Sequence, residues 1–264
     1  MNTRLFVFTL LGICLLAGLV AGIFSRSIEA ALSMPRINTI PAATPTSIPA
    51  QPTPTPVPPT PSPVVQQTNT VAQDTFQRPD QAFWGTASNG RSWTGDANHL
   101  NAFSIVGNAG QLAQQPGVFN AILGPATMNA EIVFSASVNH FNPASVNIGA
   151  VLRWKDGNNW YKAFINGSEL VILKRLNGTT TRLSFVPFKA LDAASYTLRF
   201  RAIGATLFAK AWPSNQPEPG GWMLTVTDTS TLLLSGSGGL RLAVLTDTVM
   251  RVTSFLETSV SDTI

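Results

Sequence analysis

Along this chain of 264 residues, apolar and polar positions fall into three regimes: an apolar start, a proline-rich stretch, and a long region of short alternating runs. From Asp74 onward apolar residues do not recur at helical spacing. Period-two runs broken by turn residues predict antiparallel strands instead. In residues 128–139, Ile132, Phe134, Ala136 and Val138 share one face. In residues 146–154, Ile148, Ala150, Leu152 and Trp154 face inward, and Asn147, Gly149 and Arg153 face outward. Asn166-Gly167 and Asn177-Gly178 sit between apolar runs and predict two hairpins, since Asn-Gly suits turns with positive φ. A third hairpin turns at Gly204. It sets Tyr196, Leu198, Phe200, Leu207, Ala209 and Ala211 inward, and Thr197, Arg199, Arg201, Phe208, Lys210 and Trp212 outward. With the runs at 103–106, 111–114, 119–123, 222–227, 239–245 and 248–257, about a dozen strands are expected, enough for two packed sheets of six or seven.

Residues 5–24 carry no charge. As a helix rising ~1.5 Å per residue they would span ~30 Å, the thickness of a bilayer core. That length favours an uncleaved membrane anchor over a secretory signal; cleavage near Ile28-Glu29-Ala30 is the alternative. Between Pro35 and Pro63 lie 11 of the chain's 19 prolines. Proline fixes φ and disfavours helix before it, so this stretch reads as a disordered, extended polyproline stalk. Arg4 on one side and Arg26 and Arg36 on the other give little orientation bias, and the stalk is what places the domain outside the cell. The expected organisation is an anchor or signal over 1–34, a Thr/Pro-rich linker over 35–73, and one β-sandwich over 74–264.

Charged residues make up 11% of the chain, and from Asp74 onward there are 14 basic and 12 acidic residues without a basic run. Nucleic acid is therefore not an expected partner. Cys14, the single cysteine, lies in the apolar segment, which excludes an intrachain disulfide and a thiolate metal cluster.

The stretch NIGAVLRWKDGNNWYKAFINGSELVILKRLNG, with the opening DTFQR, the WGTA and SW elements and the closing VTSFLE, resembles the concanavalin A-like, LamG-like jelly-roll domains of secreted bacterial proteins. The resemblance covers nearly all of 74–264. It implies an all-β, two-sheet antiparallel sandwich with paired first and last strands, a concave face that binds sugars, and calcium at its edge, with Asp74 at the ligating position.

Glycosidases need two carboxylates, one to donate a proton and one to attack or activate water. The acids of residues 74–264 show no alternate-position pair, and His99 and His140 lack metal-ligand spacing. Sugar recognition instead needs flat aromatic faces and forked polar groups. The expected ligand-binding residues are Asn147, Arg153, Tyr161, Arg199, Lys210 and Trp212, from strands that would share one sheet. Trp160 and Lys162 flank Tyr161, and alternation sets no direction for any of the three. The expected function is a non-catalytic, surface-displayed module for carbohydrate or cell-surface glycan. A protein-interaction or sensor sandwich, then a glycoside hydrolase, are the alternatives.

Overall fold

The computed structural model describes residues 69–261. The predicted apolar helix and nearly all of the proline-rich linker lie outside the described residues. The strands are β1 (Asn69–Asp74), β2 (Gln81–Ala82), β3 (Thr94–Gly95), β4 (Phe103–Ile105), β5 (Gly110–Leu112), β6 (Gly117–Thr127), β7 (Ala130–Val138), β8 (Ile148–Asp156), β9 (Asn159–Ile165), β10 (Glu169–Leu176), β11 (Thr179–Pro187), β12 (Ser195–Ile203), β13 (Thr206–Pro213), β14 (Leu224–Thr227), β15 (Gly236–Val244) and β16 (Met250–Ser259). They form two antiparallel sheets. One has nine strands in the order β14-β13-β12-β7-β16-β5-β4-β2, with β1 also on β16; the other has seven, β11-β10-β9-β8-β15-β6-β3. Short edge strands such as β2 and β3, two residues each, raise the count above the expected dozen.

First and last strands pair from Asn69↔Ser259 to Asp74↔Phe255. Strand β1 therefore already precedes Asp74, the expected start of the sandwich. The inward faces meet as predicted for most strands. Ile132, Phe134, Ala136, Leu198, Phe200 and Ala209 of one sheet and Ala150, Leu152, Ala163, Ile172, Leu240 and Leu242 of the other belong to one buried cluster. The Asn177-Gly178 turn has positive φ at both residues, 51° and 82°. At the 166–168 turn only Gly167 does; there the Asn166 side-chain oxygen accepts bonds from Ser168 and Glu169 N–H groups at 3.0 and 2.9 Å.

One end of the core is aromatic. Trp93 stacks on Phe76 at 5.9 Å, and Trp84 meets Phe76, Trp93 and Phe103 edge-on at 4.9–5.2 Å. Beneath them Asp74 is fully buried. Arg78 binds it through both Nη atoms at 2.7 and 2.9 Å, the Trp93 indole N–H donates at 2.7 Å, and the Phe76 and Ser88 amides donate at 2.9 and 3.3 Å. This corrects the expectation of Asp74 as a calcium ligand: its oxygens are taken by protein donors, and Arg78 supplies the countercharge a cation would have supplied.

Glu257, on β16, is also fully buried. Thr127 donates to Oε1, and Oε2 has no hydrogen-bond partner. Burial pushes this carboxyl up to about 8, against the Thr127 hydrogen bond and the Arg91 charge that lower it. Across from it a Cβ at Gly238 would stand 2.3 Å from Oε2, so glycine there makes room for the acid.

Two expected outcomes follow from these buried acids. Asp74→Ala strands the Arg78 guanidinium and the Trp93 N–H, and should cost about 3–5 kcal/mol in urea unfolding; a change within error of zero would show that the hub is dispensable. Glu257 holds its proton in the folded chain and loses it in the unfolded chain above the ordinary carboxylate range. Stability should therefore fall as pH rises from about 4.5 to about 8, with a slope of up to ~1.4 kcal/mol per pH unit. Glu257→Gln should flatten that part of the stability–pH curve, and an unchanged curve would assign the dependence to other groups.

Candidate functional site

A single bulge decides what the two sides of β8 present. Arg153 has φ 53°, and two residues of β8 oppose one of β15 between the pairs Val151↔Gly239 and Trp154↔Ser237. Past the bulge the alternation inverts. Arg153, expected outside, turns inward, and Trp154, expected in the core, turns outward.

Arg153 is 2% exposed. It donates to the carbonyls of Met128, Leu233 and Gly204 at 2.9, 2.8 and 2.8 Å, tying three connections together, and lies 5.9 Å from the centre of the Tyr161 ring. Tyr161 is fully buried and donates to Asp228 at 2.6 Å. Burial and that bond push its hydroxyl above the ordinary range. Burial opposes ionisation of Asp228, but bonds from Lys174, Ser230 and Tyr161 outweigh it and hold the carboxyl low. Arg153 and Tyr161, both expected to meet ligand, thus close one end of the sandwich from within.

Arg199 and Lys210 are in the other sheet, on its outer face, so the predicted set does not share a surface. Arg199 pairs with Glu131 and Glu218, Arg201 with Glu131 at 2.6 Å, and Lys210 with Glu218 at 2.7 Å. Trp222 lies over both Arg201 and Lys210, 5.0 Å from each cation. Trp212 is 8% exposed on the same sheet. Partial burial alone would raise Glu218, yet Lys210 and Arg199 hold it below its ordinary range. Arg199, Arg201 and Lys210 are thus matched by carboxylates, whereas Arg251 on β16 donates to the Gln111 side chain and the Val106 carbonyl.

The outer face of the seven-stranded sheet is different. The Arg241 guanidinium of β15 stands 5.0 Å from the Trp160 ring and 5.9 Å from Trp154, and donates to the Asn120 side-chain oxygen of β6. Arg175 of β10 lies in register with Trp160. Lys162 of β9 lies across β8, where a Cβ at Gly149 would be 2.6 Å from its Cε. Its Nζ donates to Asn147 and sits 4.9 Å from the Phe164 ring centre. Asn147 is therefore the one predicted ligand residue found here. Trp154, Phe164, Asn120, Arg175 and Arg241 are half-buried, while Trp160 and Lys162 are buried. Burial lowers both Lys162 and Arg241; Arg241 adds repulsion on Lys162, as Arg175 does on Arg241.

Trp154 was hidden from sequence reading by the bulge. Arg241 was legible, because Ser237, Gly239, Arg241 and Ala243 alternate with the inward Leu240 and Leu242. Among the described residues no three His, Cys, Asp or Glu side chains converge as a metal site would require. His140 is an exposed partner of Asp192 at 2.6 Å.

No family model matches the sequence, and no curated protein matches it. Solved structures do. A carbohydrate-binding module, CBM66, from Bacillus subtilis aligns at 15% identity and TM-score 0.51, over 63% of this chain and 95% of that one. A xylan β-1,4-xylosidase from Bacillus halodurans C-125 aligns at 13% identity and TM-score 0.52, over 76% of this chain and 41% of the enzyme. This chain thus spans less than half of the xylosidase. At such identities the likeness is one of fold: an antiparallel jelly-roll sandwich, whose two packed sheets are those the strand pattern predicts.

Proposed function

We propose that this protein is a surface-displayed glycan-binding module whose binding face is the outer side of the seven-stranded sheet. The observation that carries the reading is the Trp154–Arg241–Trp160 arrangement, in which one guanidinium stands near two indole rings. Flat rings pack against the C–H faces of sugar rings, and the fixed fork of a guanidinium matches pairs of sugar oxygens. Arg241 engages Asn120 through one Nη, leaving its other N–H groups as donors toward a ligand. Asn147 gives its oxygen to Lys162 and keeps its side-chain NH2 available. The carbohydrate-binding module among the solved structures supports the reading through its fold. The uncharged segment at 5–24 and the proline stalk support display on the outside of a membrane.

A glycan array probed with the full-length chain tests this reading. Binding to at least one polysaccharide is expected. Trp154→Ala should weaken it about tenfold, equivalent to ~1.4 kcal/mol, while Trp222→Ala on the opposite sheet leaves it unchanged. Equal loss from both substitutions, or no retained polysaccharide, would sink the assignment.

A further inference from the structure

The cations beside the indole rings of the two outer faces are compensated differently, although Arg251 of the nine-stranded sheet binds only neutral acceptors and Arg182 of the seven-stranded sheet pairs with Glu169. On the nine-stranded sheet, Arg199, Arg201 and Lys210 are each ion-paired to Glu131 or Glu218. On the seven-stranded sheet, Lys162, Arg175 and Arg241 form no ion pair among the described residues. Of the acids near this face, Asp96 lies close enough to Arg241 to favour its charge without forming an ion pair with it, and each acid is hydrogen-bonded or paired elsewhere. Asp96 accepts from the backbone and side-chain N–H groups of Asn120 at 2.7 and 3.3 Å, and Glu169 pairs with Arg182 at 2.9 Å. Asp156 accepts from Asn158 and Asn159. Lys162 is 4% exposed with a neutral amide as its hydrogen-bond acceptor, and the Nε of Arg175 is buried without a partner.

A cation removed from water without a counterion is costly, and neighbouring cations add repulsion. An anion arriving at this face would relieve both terms. Its positive potential is sharpened by the partly dry surroundings, in which charge interactions exceed their strength in water. The rings around Arg241 say what carries the anion. Trp154, half-buried, offers flat apolar contact that a free phosphate or a bare carboxylate does not use, whereas a sugar ring bearing an acidic group uses both features.

We infer that the ligand of this face is an acidic polysaccharide, whose uronate carboxylate pairs with Arg241 while its ring packs against Trp154. The inference rests on the glycan-binding reading above and narrows it to a substrate class. Arg175 and Lys162 act from farther off: they raise the local potential and draw the chain in, so their loss weakens uronate binding less than loss of Arg241 does.

The test uses the full-length chain and immobilised polymers: polygalacturonate, alginate and hyaluronan as uronates, methyl-esterified polygalacturonate, xylan and dextran as uncharged counterparts, and oligo(dT) as a polyanion without pyranose rings. At least one uronate polymer should be retained at least about tenfold more strongly than the uncharged set, with retention falling as salt rises. Arg241→Gln should remove that preference. Arg175→Gln should reduce it about threefold, and is the second variant should Arg241→Gln disturb folding. Retention of uncharged polymers as strong as that of uronates, still dependent on Trp154, would overturn the acidic class and leave the glycan face standing. Retention of oligo(dT) equal to that of the best uronate would overturn the inference in favour of a general polyanion surface. Retention of no polysaccharide would overturn both readings.

Discussion

A carboxylate sealed under an aromatic cluster anchors this sandwich. Asp74 ends the first strand, and five donors from four residues converge on it: Arg78 twice, Trp93, Phe76 and Ser88. Because β1 pairs with β16, and β16 with β7, this hub ties the start of the domain to its last strand and to the middle of the larger sheet. A charge at zero exposure persists only when it is paired and hydrogen-bonded. The irregular stretch between β1 and β4 is therefore shaped around it, with the Trp84 and Trp93 rings packed by their edges and faces into the space above.

The same constraint organises the opposite connections. Lys174 donates to Asp228, Ser230 and the Thr231 carbonyl, and Tyr161 donates to Asp228 as well. Arg153 draws in the carbonyls of Met128, Gly204 and Leu233. These interior cations are used up by the fold. The backbone at Arg153 must adopt positive φ to reach its partners, and the inverted alternation that results is what puts Trp154 outside. A structural requirement at one end of the sheet thereby builds part of the proposed binding face.

Charge compensation separates surface that supports the fold from surface available to a ligand. The Glu131 and Glu218 network knits β7, β12, β13 and the segment after β13 together. Lys162, Arg175 and Arg241 have no such partners, and the indoles beside Arg241 make its face chemically distinct from the opposite one.

The sequence by itself determined the all-β class, the inward sides of most strands and the Asn177-Gly178 hairpin. All of these follow from period-two burial and turn chemistry, which are local. Tertiary structure decided which of the polar residues face solvent, and together. Arg153, Tyr161, Arg199, Lys210 and Trp212 all read as outward or undirected in their own strands. Yet β8 and β9 belong to one sheet and β12 and β13 to the other, and strand order is not written in alternation. The bulge at Arg153 escaped for a related reason. Its positive φ is repaid by hydrogen bonds to carbonyls as many as 80 residues away, and no local pattern encodes partners so distant.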